Sequence, residues 1–297
     1  MSGAGAKLTL LAGGTGRLGS VLLGLLREDG IPVRVLTRSD TAAARLRASG
    51  VECIVGDVRS RSDTERAAAG CATVVSAVSG FGPMGTSTPE NVDRDGNLNL
   101  VRASVSAGVI HFILVSMRGS APDAPLPLLR MKYAAEQELL RSSVPFTIIR
   151  PTACLETYLD AIGGRLAKNG STVVFGPGTA EVNFVSARDT AALIRLALRD
   201  PDLQGHMIEW GGRNLTLDQL SEALHARAGS GGRTRRIPVT VLRTMSVLAA
   251  PISPFMARVA RAAVVMNTTD MSFDAAPGRA RFPDLPWTGL AEAAALR

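Results

Sequence analysis

Residues 8–19 read Leu-Thr-Leu-Leu-Ala-Gly-Gly-Thr-Gly-Arg-Leu-Gly, a short apolar run that ends in a glycine-rich turn. Leu18, Val21, Leu22, Leu25 and Leu26 then recur at helical spacing as far as Gly30, so the stretch predicts strand, tight turn and amphipathic helix. Within the turn, Gly13, Gly16 and Gly19 make G-x-x-G-x-x-G. Glycine lets a backbone turn sharply and approach another group closely, while the amides and dipole at a helix start attract negative charge. An isolated glycine turn would mean little. Between a strand and a helix, this spacing is the setting that grips a diphosphate.

Working outward, the apolar runs keep alternating between strand and helix. Residues 33–37 predict the second strand, 42–48 a helix, and 52–55 a third strand that ends at Gly56-Asp57. A helix about 63–69, strand 73–78, helix 97–107, strand 110–115, helix 131–142 and strand 146–149, closed by Arg150-Pro151, follow. Strands alternating with helices imply an α/β fold, a Rossmann-type doubly wound parallel sheet covered on both faces. Beyond residue 152 the rhythm changes. Residues 170–178 suggest a loop or short strand, 187–199 a helix that returns to the sheet, and 217–227 another helix; the apolar tail 237–266 is broken by Pro251 and Pro254. The expected organisation is therefore a dinucleotide domain over 1–152, with 180–203 returning to it, and a smaller C-terminal substrate-binding region over 153–179 and 204–297.

The chain has 297 residues, 46% of them hydrophobic, which supports a buried core. No run is long enough to span a bilayer, and Met1 to Ala6 are small and uncharged, so a cytoplasmic location is expected. Cys53, Cys71 and Cys154 are far apart, and His111, His206 and His225 lack ligand spacing, so neither disulfides nor a metal site is expected. The net charge of +7 comes from scattered arginines, with one tight cluster at Arg233, Arg235 and Arg236, and with little aromatic interleaving. This argues against nucleic acid and for anionic small molecules. Oligomeric state, a homodimer included, is left open.

Enzymes that prefer NAD place an acid about 20 residues past the glycine loop, where it binds the ribose hydroxyls. Here Thr37-Arg38-Ser39 stands in that place. A guanidinium suits a 2′-phosphate, held through paired charge-assisted hydrogen bonds, and Arg17 adds a second charge, so NADP(H) is the expected cofactor. The residues expected to contact it are Gly13, Thr15, Gly16, Arg17, Leu18 and Gly19 in the loop, then Arg38, Asp57 and Val58. Ser76, Ala77 and Val78 after the fourth strand, Lys132, and Pro151 and Thr152 after the sixth complete the set. Asp57 is placed to accept from the adenine amino group, or to serve as a turn former.

The glycine loop, Gly56-Asp57, residues 97–116, Lys132 with Glu136, Ile148-Ile149-Arg150-Pro151, and Asn183-Phe184-Val185 leading to Asp189 resemble the NmrA-like branch of the atypical short-chain dehydrogenases. The resemblance covers nearly the whole chain. It implies a Rossmann domain with a smaller substrate region, and it includes both NADPH-dependent reductases and regulators that only sense the cofactor. The larger dehydrogenase family uses Y-x-x-x-K, where Tyr and Lys share a helix face and the ammonium lowers the phenol pKa. Four residues before Lys132 stands Leu128, and Tyr133 points about 100° away on a helix. The usual proton donor is missing.

Lys7, Lys132 and Lys168 are the only lysines among 33 basic residues, so a lysine here suggests a task arginine performs poorly. Lys132 and Ser116 are the candidate catalytic residues. The plain alternatives are a lysine paired with Glu136 one turn on, and a structural hydroxyl at a strand end. The expected function is an NADPH-dependent reductase that delivers hydride to a small apolar carbonyl, quinone or conjugated enone. Lys132 would be its electrophile or acid, with residues 81–84 and 148–155 bordering the nicotinamide. Two rivals stand beside it: a non-catalytic NADP(H) sensor, and, less favoured, peripheral membrane association through residues 239–266. Residues 245–266 would line a substrate pocket or simply fill a core.

Overall fold

The computed structural model describes residues 7–82, 86–166, 170–229 and 232–295. Its first half alternates β1 (Thr9–Ala12), α1 (Arg17–Glu28), β2 (Val33–Thr37), α2 (Asp40–Ala48), β3 (Glu52–Val55), α3 (Arg61–Ala68) and β4 (Thr73–Ser76). A π-helical turn, Pro89–Arg94, leads into α4 (Asp95–Ala107), then β5 (His111–Val115), α5 (Pro127–Arg141) and β6 (Phe146–Pro151). Next come β7 (Ala153–Cys154), α6 (Leu155–Gly163), β8 (Ser171–Phe175), β9 (Glu181–Val185), α7 (Ala187–Ala197) and β10 (Met207–Trp210). The rest of the chain forms β11 (Arg213–Thr216), α8 (Leu217–Ala228), β12 (Arg233–Ile237), α9 (Val239–Leu248), α10 (Pro254–Thr268), α11 (Ala276–Arg281) and α12 (Leu290–Ala295).

The main sheet runs β10-β6-β5-β4-β1-β2-β3, and β1 pairs in parallel with both β2 and β4, as do β2 with β3, β4 with β5 and β5 with β6. This is the Rossmann-type α/β fold. Every residue of β1 and β5 is buried, as a parallel sheet covered on both faces requires. The buried leucines Leu22, Leu23 and Leu26 of α1 lie on one helical stripe, and each stabilises by about 1.5–3 kcal/mol relative to an exposed position. From β1 the chain winds outward to β2 and β3, then returns to lay β4 on the other side of β1. The carboxyl ends of β1 and β4 therefore flank the switch point where such sheets bind ligands.

The chain divides into two units, residues 1–150 with 190–209 and residues 151–189 with 210–297. The segment that returns to the first unit starts at Thr190 instead of residue 180, because residues 181–185 pair elsewhere. They form β9 in a small sheet ordered β11-β9-β7. In the first unit, Asp29 at the end of α1 accepts from Arg195 and lies 2.5 Å from Arg199 Nη2, which ties the returning segment down. Several boundaries also move. Ile110 is exposed and outside β5, and α5 begins at Pro127, whose fixed φ suits a first helical position. Residues 170–178 contain a true strand, β8, paired in parallel with the arginine-bearing β12.

In the second unit Leu155, Leu159, Ile162, Phe184, Leu220 and Met266 belong to one core cluster. A smaller cluster of Leu242, Ala260 and Ala263 joins α9 to α10. One face of residues 245–266 is therefore domain core.

Candidate cofactor site

The first unit gathers the glycine loop at the carboxyl end of β1. Gly13 has φ +90°, a conformation L side chains rarely adopt, and a Cβ there would stand 2.6 Å from the Ala77 carbonyl oxygen. A Cβ on Gly19 would collide with the Gly13 carbonyl oxygen. The loop closes through Gly16 N–H donating to Gly13 O at 2.9 Å. Helix α1 then starts at Gly16 with no side-chain cap and no acid in its first turn, whereas Ser39 caps α2 and Ser60 caps α3. Its first turn therefore carries neither the hydroxyl cap nor the acid found at the starts of α2 and α3, which fits a diphosphate. Thr15, Gly16 and Arg17 are exposed, Leu18 is half-buried and Gly19 is buried.

Arg38 is exposed just past β2, and its Nη1 donates to Ser87 Oγ at 2.6 Å. Asp57 is less available than its position suggests. Its Oδ1 accepts from Arg59 N–H at 2.9 Å, and its Oδ2 accepts from Arg59 Nη2 and Nε at 2.7 and 3.0 Å. Three of the roughly four acceptor positions of a carboxylate are taken, so the expected adenine contact would compete with Arg59. Burial works against its charge, yet the hydrogen bonds from Arg59 hold the Asp57 carboxyl below the usual range. Arg59 also donates to Thr86 Oγ1 at 2.8 Å. Val58 is buried against Gly96.

Ser76 does not face the loop with its side chain. Its Oγ donates to Asn97 Oδ1 at 2.6 Å, and Asn97 Nδ2 donates in turn to Asp93 O at 2.7 Å. Ala77 floors the cradle, and the Val78 carbonyl belongs to Lys132. The Lys132 ammonium donates to Val78 O at 2.9 Å and Val115 O at 3.0 Å, and pairs with Asp93 Oδ1 at 3.0 Å. The ammonium is thus held by two carbonyls and one carboxylate. In this geometry Lys132, the expected electrophile or acid, is held by protein groups and braces the ends of β4 and β5 against the π-helical turn.

Asp93 also accepts from Gly80 N–H at 2.7 Å, so it holds the loop after β4 as well. Burial pushes its carboxyl up, opposed by the Lys132 charge.

Ser116, the second catalytic candidate, is likewise committed. Buried at the end of β5, its Oγ donates to Glu136 Oε1, and Arg150 grips both oxygens of Glu136 at 2.8 and 2.6 Å. Glu136 thus serves Ser116 and Arg150, and Lys132 does not pair with it. Pro151 closes β6, while Thr152 belongs to the second unit, where its Oγ1 donates to Asn183 Oδ1 at 2.9 Å. Of the residues expected beside the nicotinamide, Ile148 and Ile149 are fully buried, and Met84 lies outside the described residues. Sequence reasoning missed Asp93, Asn97 and Arg59. Arg59, two residues past Asp57, was the one with a local signal.

The sequence model of one family, described as NAD(P)H-binding, matches residues 13–201, beginning at the first glycine of the cradle. The chain belongs to the NAD(P)H-binding family. That is the group to which the NmrA-like resemblance pointed. Among curated members, an NAD(P)H azoreductase of Xenophilus azovorans is 29% identical over 225 residues, 75% of this chain and 74% of that protein. The photosystem II assembly factor Ycf39 of Trieres chinensis is 27% identical over 238 residues, covering 80% and 74% of the two chains. Among solved structures, an NADPH-dependent quinone oxidoreductase of Escherichia coli in complex with NADPH has the same fold, with TM-score 0.78, 20% identity and coverage of 97% and 99%.

Proposed function

We propose that this NAD(P)H-binding protein is an NADPH-dependent oxidoreductase that reduces a small apolar carbonyl, quinone or conjugated enone. The observation that carries the reading is the cradle, where two glycines admit no Cβ and α1 opens with an uncapped, acid-free first turn. Its amides would hold the diphosphate, and Arg38 would exchange Ser87 Oγ for the 2′-phosphate, with Arg17 adding charge. When bound, the nicotinamide supplies the hydride. The Lys132–Asp93 pair fixes the ends of β4 and β5, so its contribution is to keep the cofactor's bed rigid. Lys132 and Ser116 are both held by protein partners, so the proton that follows hydride comes from water. The azoreductase and quinone oxidoreductase similarities support a reductase.

A second reading, the non-catalytic NADP(H) sensor, is favoured by those same protein contacts of Lys132 and Ser116 and by the similarity to an assembly factor. A steady-state assay separates them. Purified protein is expected to consume NADPH with at least one quinone, enone or ketone of a panel. Binding of NADPH by calorimetry without consumption by any of them overturns the reductase in favour of the sensor.

A further inference from the structure

In the second unit, α9 and α10 pack as a hairpin on Leu242, Ala260 and Ala263. The turn joining them is not covered. Val247 and Leu248 at the end of α9 are 65% and 66% exposed, Ile252 in the turn is 88% exposed, and Met256 in the first turn of α10 is exposed too. A solvated helical turn has no need of four apolar side chains, and such a convex cluster marks a contact site.

The charge around it names the contact. From residue 239 to residue 269 the hairpin carries three arginines, Arg243, Arg258 and Arg261, and no acid, so a partner complementary to it in charge is anionic. Arg243 and Arg261 are exposed. Arg243 lies four residues, about 6 Å, behind Val247 along α9, and Arg261 about 7–8 Å beyond Met256 along α10. Interfacial segments bury their apolar face about 5–10 Å below the headgroup boundary. With the tip at that depth, both guanidinium groups reach the level of lipid phosphates, which they bind through paired hydrogen bonds.

We propose that this hairpin tip docks on an anionic lipid surface, with Val247, Leu248, Ile252 and Met256 entering the interface and Arg243 and Arg261 gripping phosphates. Among the described residues no helix is long and apolar enough to cross a membrane, so the contact is peripheral. It is independent of the cofactor chemistry.

Flotation of the full chain with phosphatidylcholine vesicles, with and without phosphatidylglycerol, tests it. Binding is expected to be about tenfold or more stronger on the anionic vesicles, as two arginines imply, and weaker at high salt. The L248D/I252D variant should lose it while keeping its thermal midpoint and NADPH binding, and R243E/R261E should lose the anionic preference. In the I252W variant, the tryptophan emission should shift to the blue on adding anionic vesicles. Failure of the wild type to float, undiminished flotation of L248D/I252D, or an unshifted tryptophan overturns the proposal. So does a wild type that does not float but forms a dimer lost in L248D/I252D, which would assign the tip to a second copy of the chain.

Discussion

The Lys132 ammonium stands 3.0 Å from Asp93 Oδ1, with both side chains buried, and donates to the carbonyls of Val78 and Val115. A lysine in a chain of arginines is thus explained by space and geometry. A compact ammonium fits among three acceptors that converge on one point, where a planar guanidinium would not.

Removing one partner of such a pair strands the other. Lys132→Met is expected to cost about 3–5 kcal/mol in urea unfolding, and Asp93→Asn added to it should recover a good part of the loss. The Asp93 carboxyl is already held up by burial, and without the lysine it rises further. The native state then binds a proton that the unfolded state releases, so the deficit of Lys132→Met should narrow as pH falls. A loss below about 1 kcal/mol would contradict this bracing role.

The cradle makes a steric prediction. In Gly19→Ala the new Cβ meets the Gly13 carbonyl oxygen, which is backbone and cannot swing aside. The loop must shift, at a cost of about 1–3 kcal/mol in stability and at least about tenfold in NADPH affinity. Calorimetry and thermal unfolding read the two effects separately.

Arg38 makes an electrostatic one. Arg38→Ala should weaken NADPH by roughly 1.5–3 kcal/mol, about ten- to a hundredfold, and leave NADH nearly unchanged. Equal losses for both cofactors would remove Arg38 from the 2′-phosphate.

His111 sets an acid limit on stability. Thr147 Oγ1 donates to Leu203 O at 2.8 Å, so it accepts from His111 Nε2 at 2.9 Å, and the buried ring is neutral with its proton on Nε2. Burial pushes its pKa down to about 4 from the ordinary 6.5. Between those values the unfolded chain takes up a proton that the native state refuses, so stability falls as pH drops from 6.5 to 4, by about 3 kcal/mol in all. His111→Gln should flatten that slope in unfolding measured across the range.

The parallel sheet was legible because its strands are short apolar runs bounded by glycine, proline or aspartate, as at Leu10–Ala12 before Gly13 and Val33–Thr37 after Pro32. The loop glycines were legible for the same local reason. The partner of Lys132 was not. Asp93 lies 39 residues away in a π-helical turn, Pro-Glu-Asn-Val-Asp-Arg, that carries no apolar period. The nearer Glu136 looked like the natural partner until the fold set Arg150 against it. The second unit hid its small sheet similarly, since β7, β9 and β11 are short strands brought together from residues 153 to 216 with no local signal.

The first unit is not one stretch of chain. Its sheet ends in β10, contributed by residues that come back after residue 190, and His206 O receives the Ile148 N–H of β6 at 2.9 Å. A fragment cut after Arg150 would lack that covering strand. It would present β6 as a raw border of unsatisfied amides and carbonyls, an invitation to aggregate. An expression fragment of the nucleotide half must carry residues 190–209 with it.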